Sequence, residues 1–368
     1  MNLKKTPLNE IHRNLGARMV EFGGWEMPVQ YPAGTIEEHL RTRIFAGLFD
    51  VSHMGEFLVE GEDSIDFVNF LTTNDVRKLK NGQAQYSILT NENGGVVDDL
   101  LVYRFNEKKL MLVVNAATTE KDWQWINLHK SKFHVKVTDV SKNFCQIAIQ
   151  GPKAQEILQQ LTENELSQIK YYHFVEGKIL GFDAIISRTG YTGEDGFEVY
   201  ADAEKADKIW MKLLDAGDYG IEKGILPCGL AARNTLRLEA AMSLYGNELS
   251  ETITPLEANL AWVCKLEKGE FIGREALLKQ KNQGLQRRLV GFEMIDKAIA
   301  RDGFDIYAEE KKVGKVTSGA PAPFLKKNIG LAFVLIEFAK IGQEIKIDVR
   351  GKRCKATIVP TPFYKRSY

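Results

Sequence analysis

The sequence predicts an α+β fold with antiparallel strands, and three observations predict this class. Of the 368 residues, 44% are hydrophobic, which is enough to build cores for two or three domains. From residue 55 onward the apolar patterns follow the order strand, helix, hairpin, strand, helix, and a hairpin within such a series favours an antiparallel sheet over a doubly wound one. The last part of the chain contains strand patterns alone, which predicts an all-β C-terminal domain.

The first predicted element is a helix over residues 35–47. Thr35 is its predicted N-cap, Glu38 is the acid of a capping box, and Gly47 ends the helix. One face of this helix carries Ile36, Leu40 and Ile44.

The next elements are apolar runs separated by polar turns. They are the strand EFLVEG, the helix EDSIDFVNFLTTN, a hairpin around 93–95, the strand KKLMLVVNA and the helix KDWQWINLHK. After residue 140 a similar series returns, with the strand NFCQIAIQG, a helix at 152–161, strands through 179–187 and a helix at 203–214. Residues 268–285 are predicted to be a linker, and the charged turns that follow it separate the strands of the all-β domain.

Composition excludes several classes of function. The 49 basic and 49 acidic residues balance, so no overall field favours nucleic acid or an anionic membrane. The four cysteines are far apart and form no CxxC pair, so we expect neither a disulfide framework nor a zinc cluster, and a reducing cytoplasm fits best. No HExxH, dinucleotide, Walker or GxSxG motif is present, and no apolar run reaches the ~18 residues of a membrane span. We therefore expect an unexported, soluble protein without a metal.

Two adjacent acids interrupt the apolar strand of NENGGVVDDLLVY (91–103). Because side chains alternate along a strand, Asp99 projects with Leu101 and Tyr103, whereas Asp98 projects to the opposite face. At least one of these carboxylates is predicted to sit where charge is costly unless it is paired or used by a ligand. The alternative is that both acids bond turn amides or pair with arginines at the sheet edge.

A glycine-rich loop precedes the predicted strand FEVY in RTGYTGEDGFEVY (188–200). Glu198 and Tyr200 face one way in this strand, so a carboxylate lies among aromatic side chains. Such a carboxylate suits a heterocycle with adjacent N–H donors, for example the amino-pyrimidinone edge of a pterin. A cross-strand salt bridge is the alternative.

A third segment, PCGLAARNTLRLEAAM (227–242), predicts a helix with Arg233 and Arg237 on one face. Like charges at this spacing repel, so anions must relieve them. Internal carboxylates such as Glu239 or Glu198, or the carboxylate tail of a ligand, satisfy this requirement equally well.

Six motifs together resemble one family, the glycine cleavage T proteins, which are aminomethyltransferases. The motifs are VSHMGEF (51–57), NENGGVVDDL (91–100), QGPKAQ (150–155), SRTGYTGEDGFE (187–198), GLAARNTLRLEA (229–240) and YGNELSETITPLEANL (245–260). FGGWEMP (22–28) and PFY (362–364) are also similar to that family. The resemblance extends over essentially the whole chain in one order.

The resemblance implies an architecture and a reaction. The architecture is a three-domain cloverleaf around a central cavity: a discontinuous α+β domain (1–52 and 141–268), a ferredoxin-like α+β domain (53–140) and a C-terminal barrel-like β domain (285–368). The reaction is transfer of an aminomethyl group from the lipoyl arm of the H protein to tetrahydrofolate, which gives 5,10-methylenetetrahydrofolate and ammonia. A related folate-dependent demethylase and a noncatalytic folate-binding module remain alternatives.

The resemblance also implies roles for individual residues. The essential aspartate matches Asp99, the pterin-binding glutamate matches Glu198, and the folate-binding arginine matches Arg233. The remaining residues implied to line the same pocket are Met54, Tyr86, Tyr103, Asn115, Tyr191 and Tyr364. Candidates for contact with the H protein are the helix carrying Arg233 and Arg237 and the basic end of the chain, which contains Lys352, Arg353, Lys355, Lys365 and Arg366.

Overall fold

Eight helices and nineteen strands alternate along the computed structural model, which describes residues 3–220 and 222–368. The helices are α1 (Asn9–Asn14), α2 (Gly34–Ile44), α3 (Ser64–Leu71), α4 (Thr119–His129), α5 (Ala154–Gln159), α6 (Ala206–Ala216), α7 (Leu230–Glu239) and α8 (Arg274–Gln283). In the first 140 residues the strands are β1 (Arg18–Phe22), β2 (Trp25–Gln30), β3 (Gly47–Asp50), β4 (Gly55–Glu60), β5 (Gln83–Thr90), β6 (Val96–Asn106), β7 (Lys109–Val114) and β8 (Lys136–Asp139).

The remaining strands form most of the second half of the chain. They are β9 (Phe144–Gln150), β10 (Phe174–Ile179), β11 (Phe182–Ser187), β12 (Gly196–Asp202), β13 (Leu226–Pro227), β14 (Arg287–Met294), β15 (Asp305–Ala308), β16 (Lys311–Ala322), β17 (Lys327–Leu335), β18 (Glu344–Val349) and β19 (Lys352–Val359). Most of the predicted elements are present, and the segment predicted as a linker contains helix α8.

The strands form four sheets. The orders are β1-β2, β10-β11-β12-β9-β3-β13, β5-β6-β7-β4-β8 and a closed barrel of β14-β17-β16-β15-β18-β19. In the six-stranded sheet only β13 runs parallel to its neighbour β3, and the barrel strands pair antiparallel throughout. The predicted α+β class, with antiparallel sheets and a C-terminal β barrel, is confirmed.

The chain divides into two compact units. Unit 1 comprises Met1–Phe67, Lys78–Gln85 and Leu101–Asn234, and unit 2 comprises Val68–Arg77, Tyr86–Leu100 and Thr235–Tyr368. Strands β5 and β6 are each divided between the two units. The three-domain boundaries given above remain a prediction.

The core of unit 1 explains how its sheet can carry polar residues on one face. Ile147, Ile149, Phe197 and Val199 point to the face covered by α5 and α6, where the fully buried Trp210 lies. Because side chains alternate, Glu198 and Tyr200 of β12 point to the opposite face. A second cluster lies on that face and is formed by Ala84, Tyr103, Met111, Val113, Phe174, Ile185 and Tyr200.

Unit 2 has its own cores. One fills the barrel with aliphatic side chains of β14 to β19 around Phe292. Another packs Ile88 and Val96 against Leu238, Leu249 and barrel residues that include Phe333. Within the described part of the chain, no helix has the length and hydropathy needed to cross a bilayer.

Helix α2 differs from its prediction. Its N-cap is Ala33 rather than Thr35, and the Thr35 hydroxyl donates to Gln30 Oε1 at 3.0 Å. Glu38 forms no capping box, because its carboxylate accepts the backbone N–H groups of Tyr31 at 2.6 Å and Gly229 at 2.9 Å. Burial raises the pKa of Glu38 to about 7, against the effect of these two bonds.

The face of α2 that lies in the core is polar. Ile36 and Ile44 are 65% and 63% exposed. The buried side chains are instead Glu38, His39, Arg41, Thr42 and Arg43. The apolar stripe therefore did not predict the buried face, since polar partners from distant segments satisfy the opposite side of the helix.

Candidate functional site

Glu198 lies in the middle of the six-stranded sheet. It belongs to β12, between β11 and β9, and pairs in register with Ser187 and Ala148. Its side chain is only 8% exposed and lies on the same face as Tyr200. The carboxylate is thus placed among aromatic side chains, as the alternation of the sequence predicts.

Neutral donors hold this carboxylate. Thr189 Oγ1 donates to Glu198 Oε2 at 2.5 Å, and Gln146 Nε2 donates to Oε1 at 3.1 Å. Among the described residues no basic side chain forms an ion pair with Glu198, so the salt-bridge alternative is not observed. Burial raises the pKa of Glu198, while the bonds from Thr189 and Gln146 and the charge of Arg233 oppose that rise.

Tyr103 connects β6 to the strands around Glu198. Its hydroxyl donates to Ser187 Oγ at 3.2 Å and lies 3.4 Å from Thr189 Oγ1 and 3.1 Å from the Tyr200 hydroxyl. The ring is fully buried, and burial raises the pKa of Tyr103. Tyr103 therefore helps to fix the groups that surround Glu198.

Arg233 lies against the glycine-rich loop. Its guanidinium carbon is 4.7 Å from the centroid of the Tyr191 ring, a cation–π contact. The loop itself is held by Arg43, which donates to Thr192 O at 2.7 Å and to Glu194 Oε1 at 2.8 Å. The Arg43–Glu194 pair is fully buried, so the position of Tyr191 is set by a rigid part of unit 1.

The charges of Arg233 and Glu198 shift the pKa values of two further titratable groups, His53 and Glu56 of VSHMGEF. Burial and the positive charge of Arg233 lower the pKa of His53 to about 4, so His53 is neutral at pH 7. Burial, together with the charges of Asp139 and Glu198, raises the pKa of Glu56 well above its ordinary value. Arg233 is consequently the cation whose charge acts on both His53 and Glu198.

Arg237 is buried, whereas Arg233 is half-buried. It is 1% exposed and donates to Glu248 Oε2 at 2.9 Å and to Ser318 Oγ at 2.8 Å. The ion-pair partner is Glu248, which was not among the internal partners considered from the sequence, Glu239 and Glu198. Because its side chain is buried, Arg237 itself is not available to a carrier protein, and carrier contact by the helix that contains Arg233 stays a prediction.

Met54 and Asn115, both in unit 1, are half-buried. Met54 packs against the aromatic cluster that contains Tyr103 and Tyr200. Asn115 follows β7, and its backbone oxygen accepts the hydroxyl groups of Thr118 at 3.1 Å and Thr119 at 3.0 Å. These bonds fix the turn that leads into α4.

The two adjacent acids on β6 differ in burial, as expected for side chains on opposite faces of a strand. Asp98 is fully buried, whereas Asp99 is half-buried. The Tyr86 hydroxyl donates to Asp99 Oδ2 at 3.0 Å, and the Tyr86 ring stacks on Trp262 with 6.0 Å between centroids and 24° between planes. Asp99 therefore belongs to a partly accessible group in unit 2.

Tyr364 is also in unit 2. Its backbone N–H donates to Glu239 O at 2.8 Å, and its ring meets Phe324 edge-on with 5.4 Å between centroids. The neighbouring Phe363 packs on the same apolar cluster as Tyr86.

The predicted residues therefore form groups within each unit. Unit 1 holds Met54, Tyr103, Asn115, Tyr191, Glu198 and Arg233, and unit 2 holds Tyr86, Asp99 and Tyr364. The sequence analysis did not identify the two donors to Glu198. Thr189 lies in the glycine-rich loop that was singled out, but Gln146 carries no motif and only its register with Tyr200 places it there. In the described part of the chain, no group of three or more His, Cys, Asp or Glu side chains could hold a metal ion.

Comparison with known proteins gives matches along almost the entire chain. The family model for the GCVT N-terminal domain matches residues 8–268. The model for the glycine cleavage T-protein C-terminal barrel domain matches residues 287–365, which contain the closed barrel.

Curated relatives match at full length. An aminomethyltransferase of Caldanaerobacter subterraneus subsp. tengcongensis is 52% identical over 369 residues, which cover 100% of this chain and 97% of that protein. An aminomethyltransferase of Geobacillus thermodenitrificans is 53% identical, with 99% of each chain covered. The crystal structure of glycine cleavage system aminomethyltransferase T from Bartonella henselae superposes with a TM-score of 0.93 at 34% identity, covering 100% of this chain and 99% of that one.

Proposed function

Because this chain belongs to the glycine cleavage T-protein family and is an aminomethyltransferase, we propose that it transfers the aminomethyl carbon from the lipoyl arm of an H protein to tetrahydrofolate. In this reaction the carbon loses its bonds to sulfur and to the amino nitrogen and gains bonds to two folate nitrogens. The two folate N–H protons leave with ammonia and with the lipoyl thiol, so atoms and charge balance. The expected cytoplasmic location, which rests on the four isolated cysteines, is part of the proposal.

The hydrogen bonding and burial of the Glu198 carboxylate are the observation that carries the proposal. A carboxylate has about four lone-pair positions, and the protein donors Thr189 and Gln146 use one on each oxygen. The second position on each oxygen suits two adjacent N–H donors, the arrangement found on the amino-pyrimidinone edge of a reduced pterin. Burial strengthens such bonds, since water competes weakly in a site that is only 8% exposed.

Arg233 supplies the positive charge that a folate carboxylate requires. Its contact with the Tyr191 ring restricts the guanidinium, so less side-chain entropy is lost when a ligand binds. His53 is neutral at pH 7 and does not duplicate this role. We assign Met54, Asn115, Tyr191, Tyr86 and Tyr364 to the lining of the folate and lipoyl sites. Tyr103 is assigned a positioning role, because its ring is fully buried.

Asp99 is the proposed proton acceptor. Formation of the new carbon–nitrogen bonds requires the folate nitrogens to lose protons as ammonia departs, and a positioned carboxylate can accept and pass on a proton. The Tyr86 hydroxyl donates to Asp99 Oδ2 at 3.0 Å and thereby helps to orient this carboxylate. Holding both substrates by the same protein also removes much of the entropy cost of their encounter.

A reconstituted assay tests this function. The purified full-length chain is mixed with aminomethylated H protein, with and without tetrahydrofolate, and ammonia and 5,10-methylenetetrahydrofolate are measured. We expect both products to form together and only when tetrahydrofolate is present. A melting-temperature rise with tetrahydrofolate but no product would indicate a folate-binding module instead. Transfer of the methyl group from an N-methylated amine to tetrahydrofolate, which gives methyltetrahydrofolate and the demethylated amine, with no product formed from the carrier, would indicate a demethylase.

A further inference from the structure

Gln146 lies next to Glu198 in space but is separated from it by 52 positions in the sequence. It belongs to β9 and pairs in register with Tyr200 of β12. Side chains of directly opposed residues in an antiparallel pair lie on one face, so Gln146 shares the face of Glu198 and Tyr200. Its Nε2 donates both to Glu198 Oε1 at 3.1 Å and to the Tyr200 hydroxyl at 3.0 Å.

The backbone of Gln146 is fixed from the neighbouring segment. Gln146 N donates to Ser52 Oγ at 3.0 Å, and the Ser52 hydroxyl lies 3.2 Å from Gln146 O. Val51 N donates to the same oxygen at 3.0 Å. The Ser52 N–H in turn donates to Asp50 Oδ1 at 2.9 Å, inside the buried network of Asp50. The amide that touches Glu198 therefore has little freedom to move.

In the part of the chain that the structure describes, the oxygen of the same amide accepts no hydrogen bond. Gln146 is 2% exposed, and its Oε1 finds no hydrogen-bond partner among the described residues. A buried acceptor without a partner destabilises a fold, and an aliphatic side chain of similar size would avoid that cost. A glutamine at this place is therefore better explained by what its Nε2 does for Glu198 than by packing.

We propose that Gln146 is a positioning residue for the carboxylate of Glu198 and thereby sets the affinity for the pterin edge of the one-carbon acceptor. This inference rests on the proposed function, since it assumes that Glu198 binds that edge. With Thr189 on one oxygen and Gln146 on the other, the carboxylate plane is fixed, and the two remaining lone-pair positions point in set directions.

Gln146 also favours the ionised form of Glu198. Burial raises the pKa of Glu198, and the Gln146 bond is one of three influences that oppose the rise. Two ligand N–H donors require the ionised carboxylate as acceptor. Loss of the Gln146 donor raises the pKa further, so folate affinity should decline at a higher pH than in the wild type.

The test compares Gln146→Leu with a matched control, Asn9→Leu. Asn9 is also 2% exposed, its amide Nδ2 also donates to a carboxylate, Glu26 Oε2 at 3.2 Å, and its Oδ1 also has no partner among the described residues. Both substitutions remove a buried amide that bonds a carboxylate, but only Gln146 touches Glu198. Asn9→Leu therefore reports the effect of the chemical change alone.

For Gln146→Leu we expect the KM for tetrahydrofolate to rise by about 10- to 100-fold, the effect of one hydrogen bond to a charged group. The kcat at saturating folate and the KM for the H protein should remain near the wild-type values. The decline of folate affinity on acidification should begin at a higher pH than in the wild type. Asn9→Leu should lower the melting temperature without changing either folate parameter. Gln146→Met, which keeps the unbranched shape, repeats the test if the leucine variant folds poorly.

Three outcomes separate the proposals. The positioning role is refuted if Gln146→Leu and Gln146→Met bind tetrahydrofolate with wild-type affinity and if this affinity declines at the same acidic pH as in the wild type. The same conclusion follows if Asn9→Leu changes folate affinity as strongly as Gln146→Leu. Glu198→Gln, measured in parallel, tests the premise: if this variant keeps its tetrahydrofolate-induced rise in melting temperature, the assignment of Glu198 itself fails.

Discussion

At the level of single residues, the two candidate carboxylates differ in how they are held. Glu198 is nearly inaccessible and accepts bonds from neutral donors, which suits recognition of a ligand edge. Asp99 is half-buried and accepts a hydrogen bond from the Tyr86 hydroxyl, and its partial exposure suits exchange of a proton. Charge alone does not separate these roles, whereas accessibility and the identity of the donors do.

Asp99→Asn tests the catalytic assignment. The substitution keeps the size and a hydrogen-bonding group, so we expect normal folding and an unchanged tetrahydrofolate-induced rise in melting temperature. Aminomethyl transfer should fall by about 10²- to 10⁴-fold, the usual contribution of general base catalysis. Single-turnover formation of 5,10-methylenetetrahydrofolate measures this loss.

Asp98→Asn is the companion variant. Asp98 is fully buried, so its substitution should lower the melting temperature and have much less effect on the rate of the folded enzyme. Near wild-type turnover of Asp99→Asn would contradict the assignment of Asp99.

Arg237→Met tests the buried ion pair. The change leaves Glu248 charged and fully buried without its cation, which typically costs about 3–5 kcal/mol of unfolding free energy. Urea denaturation measures this loss. Adding Glu248→Gln should recover part of it, because the uncompensated charge is removed. A single variant as stable as the wild type would show that Arg237 has no structural role.

At the level of elements, side chains from distant segments form hydrogen bonds with backbone groups that have no partner nearby in the sequence. The last carbonyl groups of a helix have no intrahelical donor. At the end of α3 the Nζ atom of Lys268 donates to the carbonyl oxygens of Asn69 at 2.5 Å, Thr72 at 2.5 Å and Asn74 at 2.7 Å, and burial lowers the pKa of this lysine to about 7. A single lysine from a later segment thus completes the C-terminus of this helix and the turn that follows it.

Lys268→Met should therefore weaken unit 2. Three carbonyls lose their common donor, and we expect a loss of about 3 kcal/mol in unfolding free energy. The exposed Lys265 is the matched control: only its backbone N–H bonds this segment, so Lys265→Met should change stability by less than about 0.5 kcal/mol. Urea denaturation of both variants measures the difference, and equal stabilities would contradict this role of Lys268.

For the whole molecule, the pH dependence of stability follows from two buried carboxyl groups whose pKa values are shifted in opposite directions. Burial raises the pKa of Glu38 to about 7, so its contribution to stability is complete below about pH 4.5 and is lost as the pH rises toward 7. Burial would also raise the pKa of Asp50, but hydrogen bonds from His12, Ser52 and Thr6 and the charge of His12 lower it to about 2. The contribution of Asp50 is therefore complete above about pH 4 and is lost as the pH falls toward 2.

Asp50→Asn should remove this acid-sensitive contribution. The shift of the Asp50 pKa corresponds to about 2 kcal/mol, so the variant should be less stable at pH 7 and lose less stability than the wild type between pH 4 and pH 2. Denaturation at several pH values, followed by circular dichroism, measures this difference. Asp183→Asn serves as the control, because this exposed carboxylate should leave the acid dependence of stability nearly unchanged.

The alternation of apolar residues by itself determined much of this protein. It predicted the α+β class and the C-terminal barrel strands, and it separated Asp98 from Asp99 and Glu198 from Phe197. These features depend on side chains only a few positions apart, where the geometry of a strand fixes which face each one occupies. Long motifs in one order also identified the family before any geometry was available.

Only the tertiary structure decided which polar groups meet. Gln146 donates to Glu198, Arg237 pairs with Glu248, and α2 buries Arg43 while it exposes Ile36. Periodicity gives the direction of a side chain but not its partner, because a buried polar group needs a donor or acceptor that packing brings from a distant segment. The specific bonds that hold the site are for this reason a property of the folded chain.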